Sequence, residues 1–176
     1  MPQIVTVALY DRDNFSRGNT RQVFGYEAFH WGIVLTPEVS QGRDCASYEA
    51  TDANTLDPVT FRMNNPSMNW WFRERKNINP TLSTKIIGRI VVGRVPDGVS
   101  GSEISELFKN VPLPIKNTDP QQSCVTWTMD AVQALQDKGW ARGFDLAQFK
   151  DFALAFADER LKGAESKQAE VIQYKG

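Results

Sequence analysis

The chain has 176 residues, 41% hydrophobic and 23% charged, with 20 Lys plus Arg set against 21 Asp plus Glu for a formal net charge of -1. That balance lacks the basic excess of a nucleic-acid binder and suits one domain with a sizeable core. No apolar run approaches the roughly 18 residues of a membrane span, and two cysteines with one histidine make neither a disulfide framework nor a structural zinc site.

The opening "MPQIVTVALYDRDNF" turns acidic within a dozen residues and reads as a first strand over 4–11, not as a signal peptide. The expectation is a cytoplasmic, reduced protein with free thiols, no cofactor, no metal, no nucleic-acid partner and no membrane span. Its oligomeric state stays open. Residues 14–26, polar with two glycines, read as a loop. "FHWGIVLT" (29–36) is the next strand, ended by Pro37, and "CASYEATD" (45–52) returns to make a hairpin. A long irregular loop leads to a strand over 69–76, and "TKIIGRIVVGRV" (84–95) is the strongest β segment.

The period then changes. Residues 100–111 form a short helix with a Ser100–Glu103 capping box. A connector with three prolines follows, and 123–139 is a helix with Val125, Met129 and Val132 in one stripe beside Ala131 and Leu135. Ser123 is its N-cap and Gly139 its C′ residue. A second amphipathic helix spans 145–162, capped by Asp145 and Gln148, with Leu146, Phe149, Ala153 and Phe156 on its apolar face. Residues 1–163 are read as a single domain and 164–176 as a loosely held tail, in which "AEVIQY" has the composition of a short docking strand. Strands first and helices later predict an α+β domain, an antiparallel sheet packed against helices.

Cys124 directly follows the N-cap, at the first position of its helix. Unpaired N–H groups and the helix dipole favour negative charge there, and the thiolate is the nucleophilic form of a cysteine. The same N–H groups suit a developing oxyanion. The polar "TDPQQ" before it predicts a sulfur near the surface, with Gln121 or Gln122 as a side-chain donor. His30 shares a strand face with Gly32 and Val34, and Phe29, Trp31, Ile33 and Leu35 share the other. Gly32 has no side chain, which predicts a groove beside the imidazole. Glu49, on a face with Cys45, Ser47 and Thr51, is the candidate to orient the ring, with Asp52 and Asp44 behind it. Cys45 is a second, less activated nucleophile. Trp70 and Trp71 are either an aromatic ligand wall or core, and Arg73, Glu74 and Arg75 read as a solvated face.

The strand "HWGI" at 30–33 resembles the His strand of the lecithin:retinol acyltransferase family, which has the permuted papain-like (NlpC-type) thiol fold. "SCVTWTMDAVQAL" resembles that family's Cys helix, and the order, His first and Cys later, is the permuted one. More of the chain, from about residue 20 to 160, is similar to a fungal family known as a domain of unknown function, through "FHWGIVL", "SYEA", "WWFRER", "IIGRIVVGRV" and "LFKNVPLP". Two positions depart from those relatives: Glu49 stands where they tend to have His, and Ser123 where Asn often precedes the Cys. The resemblance implies acyl transfer through a covalent acyl-enzyme on a small-molecule or acyl substrate. Cys124 would be nucleophile, His30 base and then acid, and Glu49 the tautomer-fixing group, with Trp31, Gly32, Gln122, Ser123 and Trp71 around the substrate. Two other readings compete with it. One is a cyclase or isomerase of fungal specialised metabolism using His30 and Glu49 as acid and base. The other is a ligand-binding module whose catalytic set has decayed.

Overall fold

A computed structural model describes residues 1–162 and 170–176. The strands are β1 (Gln3–Asp11), β2 (Phe29–Pro37), β3 (Cys45–Thr51), β4 (Trp71–Ile78), β5 (Ile86–Val95) and β6 (Glu170–Gln173). The helices are α1 (Gly18–Phe24), α2 (Gly101–Lys109), α3 (Cys124–Asp137) and α4 (Leu146–Lys162). Together they make an α+β fold on one sheet of order β4-β3-β2-β1-β5-β6.

The sheet is mixed, not antiparallel throughout. Its first five strands pair antiparallel, but β6 runs parallel to β5, with Ile90 opposite Ile172. A parallel neighbour needs a long crossover, and α2, α3 and α4 lie between the two strands in the chain. The end of the chain is therefore not a loose tail where it is described. Tyr174 is buried, its N–H donates to Val91 O at 3.1 Å, and its ring stands edge-on to Phe144 and Phe149. Tyr174 belongs to the apolar core and Ile172 packs against it. The rest of the expected tail, 163–169, lies outside the described residues.

The stretch 14–26 also differs from the expected loop, since it contains α1. The two glycines that suggested a loop flank that helix, Gly18 at φ 59° and Gly25 at φ 58°, in the left-handed region glycine tolerates. Arg21 of α1 holds Asp158 of α4 with bonds of 2.8 and 2.7 Å.

One face of the sheet is apolar and helix-covered. Val5, Val7 and Leu9 of β1, Trp31, Ile33 and Leu35 of β2, and Ile90 and Val92 of β5 meet Phe108, Trp127, Ala131, Leu135, Phe149 and Ala153 from the helices. Each large apolar side chain so buried is worth roughly 1.5–3 kcal/mol. Helix α3 lies on β2 and β3, and α4 on β5. The predicted caps form: Ser100 Oγ accepts from Glu103 N–H at 3.1 Å, Asp145 Oδ1 accepts from Gln148 N–H at 2.8 Å, and Gly139 takes φ 75° after α3.

Candidate active site

Strand alternation decides which side chains share the other face. The β1–β2 register sets Tyr10 opposite His30 and Ala8 opposite Gly32, while β2–β3 sets Val34 opposite Ser47. His30, Gly32 and Val34 therefore join Tyr10, Ser47 and Glu49 on the face turned away from the apolar core. Gly32 does not leave an open groove there, as its missing side chain had suggested. A Cβ on Gly32 would stand 3.2 Å from Glu49 Cβ and 3.3 Å from Glu49 Oε2, so the glycine makes room for the carboxylate.

Glu49 is 3% exposed and is shared by two cations. Its Oε1 accepts from Arg73, whose Nε lies at 2.6 Å and whose Nη2 also makes contact. Its Oε2 lies 3.2 Å from His30 Nε2. The imidazole N–H is not aligned on that oxygen as a hydrogen bond, so the contact is read as an ion pair. Burial works against the imidazolium, but the Cys124 sulfur and the Glu49 carboxylate outweigh it and raise His30 from 6.5 to about 10. Burial also opposes the Glu49 charge, yet His30 and Arg73 hold that carboxyl down to about 2. Tyr10 packs on the imidazole with ring centroids 5.2 Å apart, and burial, reinforced by Glu49, pushes its phenol well above the ordinary value.

Cys124 opens α3. Ser123 Oγ accepts from Val125 N–H at 3.1 Å, and Thr126 Oγ1 accepts from Ser123 N–H at 3.1 Å, so the cap fixes the backbone on both sides of the cysteine. Thr128 Oγ1 donates to Cys124 O at 2.7 Å. The sulfur is near enough for its charge to raise the His30 ring. His30 is the second residue of β2 and Cys124 the first of α3, each at the start of its element. Cys124 is only 5% exposed, not near the surface as its polar approach suggested. The connector folds back on itself: Gln122 Oε1 accepts from Ile115 N–H at 2.9 Å and Gln122 N–H donates to Thr118 Oγ1 at 3.0 Å.

The other candidates scatter. Trp31 is fully buried in the core on the opposite face, where its Nε1 donates to Tyr26 O at 2.9 Å. Gln122 spends its carbonyl on the connector. Trp71 is partly buried, lies 5.6 Å from the Arg73 guanidinium and donates from Nε1 to Ala53 O at 3.1 Å. With Trp70 it walls a cavity of about 280 Å³. Asp44 caps the turn at Ser40 and Gln41 and touches the Cys45 sulfur at 3.4 Å. Burial and Asp44 raise the Cys45 thiol. Arg73, read from sequence as part of a solvated face, is the residue that was missed. Its role emerges only when the strands pair: the register of β3 with β4 sets Glu49 directly opposite Arg73.

A cavity of about 460 Å³ flanks the first turn of α3, lined by Phe24, Tyr26, Gln121, Ser123, Val125 and Met129 among others. It is large enough for a small acyl group, and its lining mixes apolar side chains with Glu27, Asp130 and Lys150. Among the described residues, no three His, Cys, Asp or Glu side chains gather as metal ligands, and no helix is long and apolar enough to cross a membrane.

Residues 3–169 match the model of a family described as of unknown function, DUF6914, and the chain belongs to that family. Comparisons with curated proteins and with solved structures give no match.

Proposed function

We propose that the chain is a cysteine-dependent acyl hydrolase or acyltransferase, on a permuted papain-like arrangement in which the His strand precedes the Cys helix. The observation that carries this reading is the contact of His30 with the buried Glu49 carboxylate, on a ring that the Cys124 sulfur also raises.

In this reading Nε2 faces Glu49, which leaves Nδ1 for the thiol. The Cys124 proton passes to His30. Sγ attacks the carbonyl carbon of an ester, thioester or amide, and the carbonyl electron pair moves to oxygen. The Cys124 N–H at the start of α3 donates to that oxygen. Collapse of the tetrahedral species breaks the bond to the leaving group, which takes the His30 proton and departs, leaving a thioester on Sγ. Water or another hydroxyl or amine acceptor then gives His30 its proton and attacks the thioester. The acyl group leaves on the acceptor and the thiol is restored.

Glu49 holds the imidazolium and does not transfer a proton itself. A carboxyl held down to about 2 is ionised at neutral pH, which speaks against an acid role for Glu49 in a cyclase or isomerase. The cavity beside Ser123 and Val125 is the proposed acyl pocket.

The test is a screen of p-nitrophenyl esters and acyl thioesters with mass spectrometry of the intact chain. A mass increase equal to the acyl group, mapped to Cys124 and absent in Cys124→Ser and His30→Ala, supports the reading. Turnover that persists in Cys124→Ser refutes it.

A further inference from the structure

The face of the sheet that carries His30 has a second feature, which the thiol chemistry does not use. Past Tyr10 it opens into a cavity of about 420 Å³, whose lining includes Tyr10, Arg43, Ser47, Arg75, Asn77 and Asn79. That lining holds two guanidinium groups and no carboxylate. A third arginine lies on this face of the sheet, outside that lining. The β1–β5 register sets Arg89 opposite Ala8, on the same face, and its charge reaches Tyr10 and Cys45. Arg89 is partly buried, and burial pulls its pKa down.

The carboxylates close by are engaged elsewhere. Glu49 is held by Arg73 and His30, Asp44 by Ser40 and Gln41 N–H, and Asp13 by Lys85. Glu74 points to the helix side of the sheet, where it accepts from Ser105. Two guanidinium groups thus line one concavity, and neither forms an ion pair with a carboxylate of the described residues. Guanidinium forks match the geometry of carboxylate and phosphate oxygens, and hydroxyl and amide donors complete such a shell. Ser47, Tyr10 and Asn77 supply those donors.

We propose that this cavity is a binding site for the oxyanion of a small metabolite, a carboxylate or a phosphate, held by Arg43 and Arg75. The site is independent of Cys124 turnover, and its test reads binding alone. The full chain is titrated calorimetrically with sodium phosphate and, separately, with sodium succinate, in buffers matched to the same ionic strength with sodium chloride. Saturable binding of one or both is expected. A preference for phosphate marks a phosphoester ligand, and a preference for succinate marks a carboxylate. Arg75→Gln and Arg43→Gln, both at exposed side chains, are each expected to weaken binding about tenfold or more, the size of a lost charge-assisted bond. Arg94→Gln, whose arginine pairs with Glu38 elsewhere, is expected to leave it unchanged. Heat that follows ionic strength alone, or affinity that survives both Arg75→Gln and Arg43→Gln, overturns the proposal.

Discussion

His30 Nε2 stands 3.2 Å from Glu49 Oε2, and the other oxygen of the same carboxylate is taken by Arg73. The buried carboxylate is thus the centre of a three-residue charge network. Removing one partner of a buried pair leaves an uncompensated charge, which costs about 3 kcal/mol or more. Arg73→Ala is predicted to destabilise by about that amount in urea unfolding, whereas Arg73→Lys recovers only part because it loses the fork geometry. A loss under 1 kcal/mol in Arg73→Ala places the network outside the stabilising set.

The same network sets a pH dependence. His30 is raised from 6.5 to about 10, so its contribution is complete below about 6.5 and fades as pH rises toward 10. Glu49 is lowered from 4.5 to about 2, so its contribution is complete above about 4.5 and fades as pH falls toward 2. Both are present together between about 4.5 and 6.5. Denaturant midpoints are predicted to decline on the alkaline side of that window, and Glu49→Gln is predicted to remove the acid limb and to weaken the alkaline limb, part of which the Cys124 sulfur sustains. A wild-type midpoint that keeps rising from pH 6.5 to 9 contradicts the assignment.

Gly32→Ala tests the contact directly. The new Cβ meets Glu49 Cβ at 3.2 Å and Tyr48 O at 3.3 Å, so the carboxylate must shift from the ring. A destabilisation of roughly 1–3 kcal/mol is predicted. His30 is the only histidine, so its ring proton gives a single NMR titration signal. Its midpoint is predicted to fall in Gly32→Ala, and an unchanged midpoint means that Glu49 does not act on the ring.

Ser123→Ala removes the side-chain acceptor for Val125 N–H. The predicted cost is about 1 kcal/mol in stability. Ser123→Asn keeps a capping oxygen and is predicted to recover most of it. Thermal unfolding of the two variants side by side reads the difference.

Much of this architecture is legible in the sequence because its signals are local. The alternation around His30, the cap at Ser123 and the stripe of Val125, Met129 and Val132 each depend on neighbours within a turn or a strand. What depends on distant pairing is not legible. The Arg73 role needed the β3–β4 register, the purpose of Gly32 needed Glu49 beside it, and the parallel pairing of β6, whose strand composition was legible in "AEVIQY", needed the edge offered by β5. Gly18 and Gly25 misled because they bracket α1 and do not interrupt it. Cys124 looked exposed because the polar connector says nothing of how it folds back through Gln122.

The most direct test of the central claim compares the two cysteines as internal controls. At neutral pH, limiting iodoacetamide and peptide mass spectrometry are predicted to find Cys124 alkylated well ahead of Cys45, whose thiol is raised by burial and Asp44. The lead is predicted to vanish in His30→Ala and to shrink in Glu49→Gln. Equal labelling of the two sulfurs in the wild-type chain, or a Cys124 lead that survives His30→Ala, contradicts a working thiol–imidazole pair.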